Sequence, residues 1–244
     1  MISVVVVSHS PALAQAAVDL ALQMVPGVKP AIAIAAGAGE GLIGTDAMAV
    51  AAAVDDVASP DGVLVIMDLG SAVMSAELAL EFRSSDTEVR LSSAPFVEGI
   101  LAAIVTAAGG ASLDDVDREA RSALAAKISM LGEATVPESA IMLPVSSAPS
   151  AATGLSAEVA VIIPDGLHAR PAATLVSTLA SFDAKLTIAN QRTSSAPVSA
   201  NSLIGLLSLG AKAGDVLTVT ASGAQAGEAL AKVIELMADG FGEL

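Results

Sequence analysis

The chain has 244 residues, 54% hydrophobic and 15% charged, with 26 acidic against 11 basic side chains and a formal net charge of −15. That apolar content can fill one large core or two modest ones and excludes a chain disordered throughout. The shortage of Lys and Arg, with four Phe and no Trp or Tyr, excludes tracking of a phosphate backbone and stacking of bases, and the absence of Cys excludes thiol catalysis, disulfides and thiolate metal sites. Residues 2–8 form a run rich in Val, as expected of a strand buried on both faces. Apolar Leu13, Ala16, Ala17, Leu20, Ala21 and Met24 then predict a helix over 11–24. A strand is expected over 31–36, followed by a loop holding Gly37, Gly39, Gly41 and Gly44. Next come a helix over 46–58, a strand over 62–67, a sharp turn over 68–71 and a helix over 72–82. A short strand over 88–91 and helices over 96–108 and 113–126 follow, the last with Ser112 as N-cap and Asp115 at N3. The alternation argues for an α/β fold with a doubly wound, mostly parallel sheet.

Periodicity stops at 133–156, where Pro137, Pro144 and Pro149 stand among many Ser and Ala, the composition of a flexible linker. The expected organisation is therefore a domain over 1–132, a linker over 133–156 and a second domain over 157–244. In the second domain, strands are expected over 157–163, 185–189, 197–200 and 215–221, and helices over 169–181, 202–209 and 224–238. This mixture lacks strict βαβ alternation and suggests an α+β layer on an antiparallel sheet. Residues 1–18 carry no charge but lack a basic leading region and are interrupted by His9, Pro11 and Gln15, so they read as strand and helix rather than as a signal peptide. Gly, Ser or Pro breaks the other uncharged runs, so no transmembrane span is expected and the location expected is cytoplasmic.

His9 and His168 are the only two histidines. His9 falls where the first strand ends and the first helix begins, the edge at which doubly wound sheets bind ligands, with a helix N-terminus suited to an anion. Asp68 ends an apolar strand and is expected to face the same crevice, holding one ring N–H of His9 and leaving the other nitrogen to attack phosphorus. Gly70 and Ser71 are expected to offer backbone N–H groups to phosphoryl oxygens, and Thr45 arrives on the Gly-rich loop. The alternative is that His9 is a tolerated strand-end residue and Asp68 a helix cap. Two histidines without Cys make a poor zinc site, and Gly37-Ala38-Gly39 fails as a dinucleotide fingerprint because Leu42 stands where the third glycine belongs. The second histidine lies in Gly166-Leu167-His168-Ala169-Arg170-Pro171-Ala172, again between a strand and a helix, with the guanidinium of Arg170 two residues away.

Residues 157–244 resemble the HPr family, the histidine phosphocarriers of the bacterial sugar phosphotransferase system, through Gly166–Ala172 and through the segment from Asn201 to Gly210. The resemblance implies an open-faced antiparallel sheet with helices on one side. It also implies that His168 takes a phosphoryl group from Enzyme I, that Arg170 and Ala169 help hold it, and that Ile204 and Leu207 help dock the donor. The residue before Ser202 is Asn where the family commonly carries Lys, so Ser202 is read as a helix N-cap rather than a regulatory serine. Residues 1 to about 130 resemble the DhaM family, phosphotransferase subunits of phosphoenolpyruvate-dependent dihydroxyacetone kinases, which are related to mannose-type IIA domains. That resemblance rests on Val6-Val7-Ser8-His9-Ser10, Ile43-Gly44-Thr45-Asp46-Ala47, Met67-Asp68-Leu69-Gly70-Ser71-Ala72 and Ala94-Pro95-Phe96-Val97-Glu98-Gly99.

Together the resemblances imply a relay from phosphoenolpyruvate through a separate Enzyme I to His168, then His9, then ADP bound on the nucleotide-binding subunit of the kinase. They imply no cofactor or metal on this chain, and a homodimer, because IIA-like domains pair. A linker of about 24 residues spans roughly 25–30 Å, which keeps each domain near the other at about millimolar effective concentration. Two other readings stay open at this point: a mannose-type transport component, and a regulatory phosphocarrier that changes partner affinity without onward transfer.

Overall fold

The computed structural model describes residues 1–131, 154–193 and 196–243. Its first sheet consists of β1 (Ser3–Ser8), β2 (Ile32–Ala36), β3 (Val63–Met67) and β4 (Val89–Ser92). All pairs are parallel, in the order β2-β1-β3-β4, with Val5 opposite both Ala33 and Val65. Every residue of β1 and β3 is buried, which is why these strands read as unbroken apolar runs: helices cover both faces. On one face α2 (Ala47–Asp56) and α3 (Gly70–Phe82) place Val50, Val54, Ala72, Ala76 and Ala79 against Val5, Val7, Val63 and Val65. On the other face lie α1 (Pro11–Leu22), α4 (Phe96–Ala108) and α5 (Leu113–Arg121), with α4 touching both β1 and β3. Alanine dominates the buried positions of α1 and α3, and small side chains let helix backbones approach the sheet closely.

Two boundaries differ from the sequence expectation for local reasons. The helix expected over 113–126 stops at Arg121 and resumes as α6 (Ala125–Leu131). At the break the Ser122 hydroxyl donates to the Glu119 carbonyl (3.1 Å), a side-chain bond that competes with the helical ladder. Helix α3 begins at Gly70 rather than residue 72, because the turn before it closes within one residue when the Leu69 N–H donates to the Asp68 carboxylate at 2.7 Å.

Most of the expected linker, 133–153, lies outside the described residues. At its far end Leu155 and Ser156 already pair with Ala221 and Thr220, so the second sheet starts two residues earlier than expected. That sheet holds β5 (Leu155–Ala160), β6 (Lys185–Asn190), β7 (Val198–Ser199) and β8 (Val216–Ser222), all antiparallel in the order β5-β8-β6-β7. Leu186, Ile188 and Asn190 pair with Ala221, Val219 and Leu217, and all six side chains are buried on one face. The paired Thr187 and Thr220 of the opposite face are exposed, the alternation of a sheet packed on one side only. Helices α7 (Ala169–Leu179) and α8 (Leu203–Ser208) occupy connections between strands, and α9 (Ala226–Ala238) follows β8 and packs on β5, β6 and β8. Strand β5 ends at Ala160, short of the expected 163. Beyond it the Val161 N–H donates to Asp215 O (2.9 Å) and its carbonyl accepts from Gly214 N–H (2.8 Å), tying the chain to the turn before β8.

Candidate functional site

The parallel sheet turns back on itself between β1 and β3: the chain runs from β1 outward to β2, then returns to the other side of β1. This reversal opens a crevice at the carboxyl ends of the two central strands. His9 follows β1 and Asp68 follows β3, so the two meet there. The His9 Nδ1 lies 2.9 Å from Asp68 Oδ1, and the His9 backbone N–H donates to Asp68 Oδ2 at 2.8 Å. The Ser8 hydroxyl donates to the same Oδ2 at 2.9 Å and the Leu69 N–H to Oδ1 at 2.7 Å. Each carboxylate oxygen thus faces two donors, and the arrangement requires Nδ1 to carry its proton. Burial pushes the Asp68 carboxyl up, but the bonds from the His9 N–H, the His9 ring, the Ser8 hydroxyl and the Leu69 N–H outweigh it and hold it below the ordinary carboxylate value.

With Nδ1 committed, Nε2 presents its lone pair outward, where the Ser71 hydroxyl lies 2.9 Å away. Ser71 and Gly70 open helix α3, whose first N–H groups have no acceptor within the helix. On the other flank Ser10 caps α1 by accepting from the Leu13 N–H (3.3 Å), with Pro11 at the first helical position. The Gly-rich loop is stitched to β1 by Gly37 N–H to Ser8 O (3.0 Å) and Gly44 N–H to His9 O (3.3 Å). Gly44 needs to be glycine: its φ is +149°, and a Cβ there would sit 2.8 Å from the Ala38 Cβ. Thr45 is not bonded to the His9 ring; its hydroxyl lies 2.7 Å from that of Ser75 on α3. Leu42, Ile43 and Leu69, each at least 60% exposed, lie on the two loops that flank the crevice.

Ser8 is the residue that sequence reasoning overlooked. Its side chain is fully buried, donates to Asp68, and accepts from the Ser10 N–H at 3.0 Å. The signal was present in the sequence: a polar residue closing a run of buried valines needs a buried partner.

His168 stands at the N-cap of α7 in an extended conformation (φ −84°, ψ −173°), with its carbonyl accepting from the Ala172 N–H at 3.1 Å. His168 and Ala169 are half-buried, Arg170 is exposed in the first helical turn, and Pro171 is buried behind them. The preceding turn is tight. Gly166 has φ +75°, and a Cβ on it would lie 2.3 Å from the Ala211 carbonyl oxygen, a position no side chain can take. That same carbonyl accepts from the Leu167 N–H at 2.9 Å. Ser202 directly precedes α8. Of the two residues expected to dock a donor, Leu207 is half-buried and Ile204 is only 6% exposed. Among the described residues no group of three or more His, Cys, Asp or Glu could hold a metal ion, and no helix is long and apolar enough to cross a membrane.

Comparison with known proteins finds matches to both halves of the chain. Residues 3–117 match the family model described as the fructose IIA component of the phosphotransferase system, and residues 155–239 the model of the HPr component phosphorylation site. The whole chain is 43% identical to a relative from Pantoea ananatis named as phosphoryl donor subunit DhaM of phosphoenolpyruvate-dependent dihydroxyacetone kinase, of which it covers 51%. An Escherichia coli relative of the same name is 42% identical, again over 51% of its length. The chain therefore spans about half the length of these curated relatives. A shorter Listeria innocua relative, named as the phosphoryl donor subunit DhaM of a second such kinase, is 34% identical over 107 residues, 43% of this chain and 85% of the relative. Among solved structures, an HPr from Thermoanaerobacter tengcongensis is 31% identical and aligns over 98% of its own length and 37% of this chain, with a TM-score of 0.34.

Proposed function

Because the chain belongs to the DhaM family of phosphoryl donor subunits, we propose that it relays phosphoryl groups from Enzyme I, through His168 and then His9, to ADP held by the nucleotide-binding subunit of a dihydroxyacetone kinase. The observation that carries this reading is the clamped His9 ring, with Nδ1 on Asp68 and Nε2 turned to the crevice mouth. A nitrogen held this way is a nucleophile in a fixed direction, and in-line phosphoryl transfer asks little of a protein beyond positioning and charge stabilisation.

The steps balance without a proton leaving the site. A His168 ring nitrogen takes the phosphoryl group from Enzyme I, with the Arg170 guanidinium and the Ala169 N–H at the α7 N-terminus holding its oxygens. The Nε2 lone pair of His9 then attacks phosphorus; the P–N bond to His168 breaks and its electron pair returns to that ring. Ser71 must swing off Nε2 as the group arrives, and its hydroxyl is then placed to donate to a phosphoryl oxygen. Gly70 and Ser71 contribute N–H groups at the α3 N-terminus, and Thr45 lies on the neighbouring loop. A terminal oxygen of ADP finally attacks the same phosphorus and the bond to Nε2 breaks. The apolar rim of Leu42, Ile43 and Leu69 suits partners that must exclude water during transfer. We expect the protein to act in the cytoplasm as a homodimer.

The test uses Enzyme I and labelled phosphoenolpyruvate. Acid-labile, base-stable label is expected on both histidines, and His168→Ala is expected to remove both labels until free HPr is supplied. Equal labelling of His9 in the His168→Ala protein with Enzyme I alone refutes the internal relay. Added kinase subunits with ADP are expected to convert dihydroxyacetone to its phosphate; a transport component would leave it unchanged.

A further inference from the structure

The second half of the chain contains a buried polar cluster that the relay itself does not use. Asn190, at the end of β6, and Asp215, just before β8, are 1% and 7% exposed. Asp215 Oδ2 accepts from Asn190 Nδ2 (3.0 Å) and from the Lys212 N–H (2.9 Å), while Oδ1 accepts from Arg192 Nε (2.6 Å). Asn190 Nδ2 also donates to Leu209 O (3.1 Å), and Arg192 Nη2 donates to Gly210 O (2.9 Å). Asn190 Oδ1 accepts from the Arg192 N–H (3.0 Å), which closes the network. Three side chains thus hold the carbonyls of Leu209 and Gly210 and the N–H of Lys212. Between them lies Ala211, whose carbonyl receives the Leu167 N–H at 2.9 Å and touches the only side of Gly166 that a side chain could occupy.

Further bonds tie the 209–215 turn. The Lys212 carbonyl accepts from the Asp215 N–H (3.0 Å), and Val161 exchanges bonds with Gly214 and Asp215 at 2.8 and 2.9 Å. Leu167 is 4% exposed and immediately precedes His168. We propose that Asp215, Asn190 and Arg192 are positioning residues for His168, acting through the Ala211 carbonyl that hooks the turn leading into it. A buried carboxylate with three donors is an expensive way to shape a surface turn, because stripping water from a charge is costly unless every partner is in place. The network is therefore best understood by what it fixes. A shift of the turn moves residue 167, and with it the direction from which the His168 ring meets phosphorus, where an error of about 1 Å can cost 10²-fold.

This inference rests on the proposed entry of phosphate at His168, and one experiment separates the two. Initial rates of His168 labelling by Enzyme I and phosphoenolpyruvate are measured in the full chain for the unaltered protein, Asp215→Ala, Arg192→Met and Val219→Ala. Val219 is fully buried in β8, away from the turn, so Val219→Ala lowers stability without touching the hook. Asp215→Ala is expected to lower kcat at least tenfold with KM for Enzyme I within twofold. Arg192→Met, on a side chain 47% exposed, is expected to lower kcat about threefold, and it carries the test if Asp215→Ala does not fold. Val219→Ala is expected to keep kcat. Equal kcat values for Arg192→Met and the unaltered chain, or for Asp215→Ala and Val219→Ala, overturn the positioning role. Absence of label on His168 in the unaltered chain instead overturns the relay, and the positioning role with it.

Discussion

Asp68 accepts four hydrogen bonds with two oxygens, and each donor constrains a different part of the site: the His9 ring, the His9 backbone, the end of β1 at Ser8 and the start of the α3 turn at Leu69. Asp68→Asn puts an amide where two donors already point, so the ring loses its anchor. His9 labelling is expected to slow by about 10²-fold or more, as when an orienting carboxylate is removed from a triad. The pH dependence has a defined sign. A carboxyl whose folded pKa lies below its unfolded value of about 3.9 adds stability above that value and loses it as pH falls through the folded one. The gap in melting temperature between the unaltered protein and Asp68→Asn is therefore expected to stay level between about pH 5 and 8 and to narrow below about pH 4. Ser71→Ala removes the hydroxyl placed to donate to the arriving phosphoryl oxygen and is expected to slow His9 labelling about tenfold, the equivalent of one hydrogen bond of about 1.4 kcal/mol. His9 and Asp68 were legible as a pair because each closes an apolar strand in a parallel sheet. The Ser71 contact was not, since a side chain at the second position of a helix points where the turn before it dictates, and that turn proved shorter than expected.

At the scale of elements, the Gly-rich loop shows which glycines the fold requires. Gly44→Ala adds a Cβ 2.8 Å from the Ala38 Cβ at a φ of +149°, whereas Gly41→Ala, at φ +72°, meets nothing within 4 Å. The first is expected to cost about 3 kcal/mol, from strain and overlap together, and the second about 1 kcal/mol. Urea unfolding of the two variants measures the difference, and only Gly44→Ala should also slow His9 labelling, because the Gly44 N–H holds the His9 carbonyl. Strand–helix alternation, the N-cap at Ser112 and the parallel sheet were all readable from period and composition. What escaped was set by partners distant in sequence. Leu155 and Ser156 look like linker until β8 pairs with them, and Val161 looks like strand until Gly214 and Asp215 of the turn before β8 take up its backbone groups. The Asn190–Asp215 contact joins residues 25 apart that carry no motif.

Across the whole molecule, carrying both histidines on one chain would make the second transfer of the proposed relay a first-order event. Tenfold dilution of the unaltered protein under saturating Enzyme I is expected to leave the His9 labelling rate per chain unchanged. An equimolar mixture of His9→Ala and His168→Ala homodimers, combined just before the assay so that subunits have not exchanged, must meet to transfer and is expected to slow about tenfold on the same dilution. Electrostatics bears on how the phosphoryl group divides between the two sites. Once phosphorylated on Nε2, the His9 ring with a proton on Nδ1 is a cation, and Asp68 becomes its counter-ion rather than only its guide. A fixed anion beside that proton lowers the free energy of the charged phosphoimidazole relative to the neutral ring. In the proposed relay the carboxylate would then act on an equilibrium: it would lower phosphorylated His9 relative to the same ring without Asp68, favouring transfer from His168 and reducing the driving force left for ADP. Removing it would leave label stranded upstream even after every rate had time to complete.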